Sequence, residues 1–197
     1  MRLADVRAIE YGGVLVEGEP WPSCLHIIEH PDGRVLVDTG MIDSTPELDE
    51  EWHPFFAEAL IPRDVACVIN THLHFDHCGG NRLFPGVPIY VQRVEREAAR
   101  KPGYTIAEWV EFEGAHYVEL DGEAEIVAGV SVFPTPGHTL GHQSVRVDTD
   151  DGLVVLAGDV AYTWEAFDDP ANDAAARVRS LNPARIWLAH AREPRER

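Results

Sequence analysis

Cysteine is scarce: three residues in 197, with no Cys-x-x-Cys pair. Cys24, Cys67 and Cys78 therefore supply neither a disulfide framework nor thiolate ligands at zinc-site spacing. Each reads as a small buried residue, and together they point to a reducing cytoplasm. No apolar run approaches the ~20 residues needed to cross a bilayer. The opening Met1-Arg2-Leu3-Ala4-Asp5 meets an acid at once, which argues against a signal peptide. Positive charge is also short, with 16 Lys and Arg against 34 Asp and Glu and a formal net charge of -18. Such a surface repels phosphate backbones and sets nucleic acid aside as a partner. No Arg cluster stands ready for an anionic small molecule, so a neutral one fits best. Repeats, low-complexity tracts and linkers are absent, and the length suits one domain over residues 1–197.

What is present is a series of short apolar runs. Residues 6–10 and 14–16 read as strands flanking a turn at Gly12-Gly13. Strands are expected at 24–29, 34–37 and 65–70, then at 89–91, 117–120, 125–127, 130–133, 144–147, 153–156 and 185–189. Helices are expected at 51–60, from the spacing of Trp52, Phe55, Phe56, Ala59 and Leu60, and at 92–100 and 172–181. Buried strands with intervening helices imply sheets covered by helices.

The chemistry lies just past these strands. His72-x-His74-x-Asp76-His77 places three imidazoles and a carboxylate on one tight loop, followed by Gly79-Gly80. Such a set packs badly in a plain core, but it suits a cation: imidazole accepts Zn, Fe, Mn or Co, and carboxylate adds charge and can bridge. Three more pieces follow strands: Pro136-Gly137-His138-Thr139-Leu140-Gly141-His142, Gly158-Asp159 and His190. Each is weak alone; in this order after the first motif they are strong.

With those residues in view, the chain resembles the metallo-β-lactamase superfamily from about Val35 to His190. The resemblance implies an α/β (α+β) fold, the four-layer αββα sandwich. It further implies that His72, His74 and His138 hold a first divalent metal and Asp76, His77 and His190 a second, with Asp159 bridging. Zinc is the first choice for both ions. Asp38, in Leu36-Val37-Asp38-Thr39-Gly40, matches an aspartate that orients a ligand histidine. His142 stands behind the ligands rather than among them.

Within the superfamily, the β-lactamases themselves usually carry cysteine in place of the bridging aspartate. Flavodiiron and sensor-like relatives carry Glu where this chain has His74. The RNA-processing branch wants a basic surface. Glyoxalase II shares much of the motif, but binds an anionic glutathione thioester and typically adds a C-terminal helical region, which is not expected here. Every ligand position is filled, which disfavours a non-enzymatic sensor.

The quorum-quenching N-acyl-homoserine lactonases are the most similar branch. The likeness rests on His72-Leu73-His74-Phe75-Asp76-His77 with Gly79-Gly80-Asn81, on Thr135-Pro136-Gly137-His138 with Gly141-His142-Gln143-Ser144, and on Gly158-Asp159-Val160-Ala161-Tyr162. The stretches 40–71 and 162–190 are shorter than in that family, and Ala191 replaces an aspartate, so trimmed pocket walls are expected.

The implied activity is metal-dependent opening of a lactone ring, N-acyl-homoserine lactone first, by attack of a metal-bridging hydroxide. A glyoxalase II-like thioesterase, or another carboxylic ester hydrolase of this fold, is the alternative. Two cations ~3.5–4 Å apart can share a water and lower its pKa toward ~7. Tyr162 would donate to the oxyanion, Asp76 would return the proton to the leaving alkoxide, and Phe75 would line an acyl pocket. A homodimer is compatible with exposed aromatics on a trimmed domain.

Overall fold

The apolar runs of the first half pair into one sheet and those of the second half into another. The computed structural model describes residues 1–58 and 61–197. In it β1 (Val6–Val16), β2 (Glu19–Ile28), β3 (Val35–Val37), β4 (Phe55–Phe56), β5 (Cys67–Ile69), β6 (Pro88–Gln92) and β7 (His116–Leu120) form a seven-stranded sheet ordered β4-β1-β2-β3-β5-β6-β7. β8 (Ala124–Val127), β9 (Val130–Pro134), β10 (Gln143–Thr149), β11 (Gly152–Leu156), β12 (Arg185–Trp187) and β13 (Arg195–Glu196) form a six-stranded sheet, β13-β12-β11-β10-β9-β8. Strands β3, β5, β6 and β7 run parallel, as do β11 and β12.

Side-chain alternation along the strands builds the layers. Val35, Val37 and Ile69 of the first sheet meet Val132, Val145, Val154 and Leu156 of the second in a shared buried core. The opposite faces carry the helices. Leu36, Val68 and Ile89 pack with Leu48 of α1 (Pro46–Glu51) and with Trp109 in the four-residue helix Ala107–Val110. Val155 and Ile186 pack with Phe167 in Trp164–Asp168 and with Ala175 and Val178 in Asp173–Ser180. The order helix, sheet, sheet, helix is the expected αββα sandwich. No helix among the described residues is long and apolar enough to cross a membrane.

Two local expectations need correction. Gly12-Gly13 does not turn the chain: β1 runs through it, with a register shift between Glu10 and Gly12 against β2. Gly12 is required there, because φ is 145° and a Cβ would lie 2.1 Å from the Phe55 carbonyl oxygen of β4. The helix expected over 51–60 also fails within the described residues. Helix α1 lies earlier and ends at Glu51, capped by Thr45, whose Oγ1 accepts from Leu48 N at 3.3 Å. Pro54 disfavours helical backbone at His53, which sits at φ 45°. Phe55 and Phe56 then pair with Gly13 and Gly12. Ala59 and Leu60 lie outside the described residues.

One polar residue inside the first sheet sets a pH limit. His26 of β2 is 2% exposed, and its ring meets Trp187 edge-on at 5.4 Å. Burial, aided by His77, lowers its pKa to about 3. The unfolded chain therefore takes up a proton as pH falls through ~6.5 while the folded chain does not, and stability drops from that point down. Between pH 6.5 and 5 the expected loss from this group is about 2 kcal/mol. Urea unfolding of H26L at both pH values should lack that component; an unchanged pH slope would contradict it.

Candidate metal centre

Asp38 and the candidate metal ligands lie on segments that follow strand ends. Asp38 follows β3, residues 70–77 follow β5 and run into the one-turn helix Phe75–Cys78, His138 follows β9, Asp159 follows β11 and His190 follows β12. Short parallel strands end together, so chain segments far apart in sequence deliver loops to one edge. The loop after β5 is held tightly: Gly80 N donates to Gly40 O at 2.9 Å, and a Cβ on Gly80 would lie 2.4 Å from Thr39 O.

Hydrogen bonds decide which imidazole nitrogen faces inward. Asp38, 3% exposed and in the left-handed region at φ 61°, accepts from Thr71 N at 2.7 Å and Thr71 Oγ1 at 2.8 Å. Its Oδ2 also takes the His77 Nδ1 proton at 2.9 Å. Thr71 Oγ1, with its own proton given to Asp38, accepts from His72 Nδ1 at 3.1 Å. His190 Nδ1 donates to Pro22 O at 2.9 Å. The Nε2 atoms of His72, His77 and His190 are thereby turned to the centre.

These atoms converge in overlapping groups. His72 Nε2 and His138 Nε2 lie 3.1 and 2.9 Å from His74 Nδ1. Ligands on a tetrahedral cation with N bonds of ~2.0–2.1 Å stand roughly 3.3 Å apart, so the trio has the right spacing. His77 Nε2 lies 3.6 Å from Asp76 Oδ2 and 3.4 Å from Asp159 Oδ1. His190 Nε2 lies 3.8 Å from Asp76 Oδ2 and 3.2 Å from Asp159 Oδ2. Asp159 Oδ2 is also 3.7 Å from His138 Nε2 and 4.0 Å from His72 Nε2, which places it between the two sets. His77 Nε2 and Asp159 Oδ1 are buried without a hydrogen-bond partner. Buried polar atoms are rarely left so, and two opposed orphans fit a cation between them.

Charge within the cluster is divided accordingly. Burial disfavours the His77 imidazolium, but Asp159, Asp76 and Asp38 overcome it and raise its pKa well above the ordinary value. His190 is raised likewise, Asp159 outweighing burial. Asp159 is lowered well below the usual carboxylate range, because His77 and His190 outweigh its burial. Burial lowers His72, His74 and His138. One half of the cluster thus offers neutral imidazoles, the other carboxylates already paired with positive charge.

His142 does not face the centre. Its Nδ1 donates to Thr135 O at 3.1 Å and its Nε2 accepts from Asp159 N at 3.0 Å, which sets the Asp159 backbone. Burial holds its pKa at about 3. Tyr162 Oη is 2.9 Å from His138 Nδ1.

A cavity of about 780 Å³ opens on these residues. Asp76, His74, His138, Asp159, His190 and Tyr162 form one end. Val14, Val16, Trp21, Leu48, Trp52, Phe75 and Ile106 supply an apolar wall. Its walls come from β1, α1 and residues 103–108. Sequence reading missed Trp21, whose ring packs edge-on to Tyr162 at 5.4 Å. It also missed Tyr11, whose hydroxyl donates to Asp76 O. Neither carries a local signal, since both sit in ordinary strand sequence.

The profile of the metallo-beta-lactamase superfamily matches residues 20–195. The chain belongs to the metallo-β-lactamase superfamily. Within that superfamily it is 36% identical over 169 residues to the N-acyl homoserine lactonase of Bacillus cereus, covering 75% of this chain and 67% of the relative. It is 30% identical over 182 residues to the N-acyl homoserine lactonase AttM of Rhizobium johnstonii, covering 76% and 69%. Among solved structures it resembles a variant of AiiA from B. thuringiensis with N-decanoyl-L-homoserine bound at the active site. The TM-score is 0.82 at 27% identity, over 96% of this chain and 94% of that one. An N-acyl homoserine lactone hydrolase with N-hexanoyl-L-homoserine bound at its catalytic metal centre gives a TM-score of 0.80 at 28% identity, over 96% and 94%. This superfamily member is a metal-dependent hydrolase, and its His/Asp cluster is where divalent metal belongs.

Proposed function

We propose that this protein is a dinuclear metal-dependent lactonase that opens N-acyl-homoserine lactones. The observation that carries this reading is an apolar cavity ending on a cluster of unsatisfied imidazole and carboxylate atoms. An acyl chain fits the wall of Trp21, Trp52, Phe75 and Leu48, and a polar ring fits the end.

His72, His74 and His138 would hold one ion, Asp76, His77 and His190 the other, with Asp159 between; zinc suits these donors best. When bound, the pair supplies Lewis acidity and an activated water near neutral pH. The remaining steps belong to the chain. With Nε2 of His138 facing the centre, its Nδ1 carries the proton and gives it to Tyr162 Oη. The Tyr162 hydroxyl proton is then free to bond the carbonyl oxygen as negative charge builds there. Burial and nearby Asp159 raise the Tyr162 pKa to about 12, so the phenol stays protonated at neutral pH. Asp76 lines the cavity beside His77 and His190 and is placed to take the proton that the attacking water gives up after adding to the carbonyl and to hand it to the alkoxide released when the ring opens.

A glutathione thioester is disfavoured, because no Lys or Arg lines the cavity among the described residues, whereas Glu47, Glu51 and Glu108 do. The protein is proposed to act as one domain, residues 1–197, in the cytoplasm; three free buried cysteines suit that compartment.

pH-monitored hydrolysis by metal-loaded enzyme should be fast on N-acyl-homoserine lactones and slow on glutathione thioesters and phosphodiesters. Thioester cleavage without lactone opening would defeat the assignment.

A further inference from the structure

The buried carboxylate of Glu95 has no part in the chemistry above, yet it touches the chain beside all three imidazoles of the first group. Glu95 lies in α2 (Arg93–Ala99), the helix after β6, and is 0% exposed. Its Oε1 accepts from Leu73 N at 2.8 Å and from the Tyr104 hydroxyl. Its Oε2 accepts from Thr139 Oγ1 at 2.7 Å. Leu73 sits between His72 and His74, and Thr139 directly follows His138. The Tyr104 ring packs on His74 at 5.1 Å between centroids. The second loop is seated on the same turn of helix: a Cβ on Gly141 would lie 2.4 Å from Glu95 N. Three donors and no cation satisfy this carboxylate among the described residues, an expensive arrangement in a buried place unless geometry depends on it.

We propose that Glu95 is a positioning residue that sets His138 against His72 and His74. The proposal rests on the metal-centre reading above. One carboxylate bonded to both loops holds the three nitrogens at their spacing of about 3 Å. Without it, the His138 loop keeps its own turn, its seat on the helix, and the bonds of His138 to Tyr162 and of His142 to the Asp159 backbone.

The test uses cobalt(II) as the probe in otherwise native protein. In E95A, chelator competition should show affinity of the first ion reduced roughly 10–100-fold, the usual scale for an outer support of a ligand. The visible cobalt band of that site should change with it, and kcat should fall. E95Q should restore all three, since its amide oxygen still accepts from Leu73 N and Tyr104 while its nitrogen donates to Thr139. T139V, which removes only the bond to the second loop, should give a smaller change of the same kind and replaces E95A as the decisive variant if E95A does not fold. An unchanged cobalt spectrum and chelator resistance in the decisive variant, or E95Q damaged as badly as E95A, would overturn the role of Glu95. Native protein that takes up no cobalt would overturn the metal centre itself.

Discussion

Replacement of Asp159 by alanine is expected to leave less than two metals per chain and to abolish lactone opening. The side chain is 4% exposed, and its two oxygens reach both halves of the cluster: His77 at 3.4 Å, His190 at 3.2 Å and His138 at 3.7 Å. Its charge is also what raises His77 and His190 against the pull of burial. Removing it would take a ligand from each proposed site at once and leave His77 with only Asp76 and Asp38, and His190 with only Asp76, as counter-charge. The loss of activity should exceed the roughly 100-fold that follows when only an outer partner of a ligand is removed. Because His142 accepts from the Asp159 backbone rather than its side chain, the loop itself should keep its course. Elemental analysis after dialysis reads the metal directly. Two metals per chain in D159A would show that this carboxylate does not bridge.

The second large effect is expected at Tyr162. Y162F should lower kcat on lactones about 100-fold or more, the scale of losing one donor to an oxyanion, with metal content unchanged. The substitution keeps the edge-on contact with Trp21 and removes only the hydroxyl. The His138 Nδ1 proton then turns to water, which is within reach because Tyr162 is 39% exposed. KM should move less than kcat, since the bond strengthens as charge develops. Equal turnover in Y162F and native enzyme would remove the hydroxyl from the reaction. A parallel loss of metal would instead make Tyr162 a support for His138.

Much of this centre was legible in the linear chain. His72, His74, Asp76 and His77 are neighbours in sequence, so their convergence needs only a tight loop, and Gly80 against Thr39 marks how tight. His138, Asp159 and His190 were readable because each directly follows an apolar strand. Sheets covered by helices followed from the same runs, and the four-layer sandwich from the family resemblance that these motifs carry. The failures were also local. The helical spacing of Trp52, Phe55 and Phe56 was real, but Pro54 interrupts the backbone and pairing with β1 claims the two phenylalanines. Gly12-Gly13 looks like a turn until the partner strand is known; its freedom is used to let β4 approach.

Residue types and their order along the chain set most of the strands, the ligand candidates and the acidic charge, because strands and loops report themselves through local pattern. Tautomers, charge states and the cavity come from folding alone. Which nitrogen of His77 faces inward depends on Asp38, thirty-nine positions away, and Trp21, Trp52 and Phe75 share a wall only after three separate segments meet. Those properties arise from contacts between distant segments, and no window of sequence contains both partners.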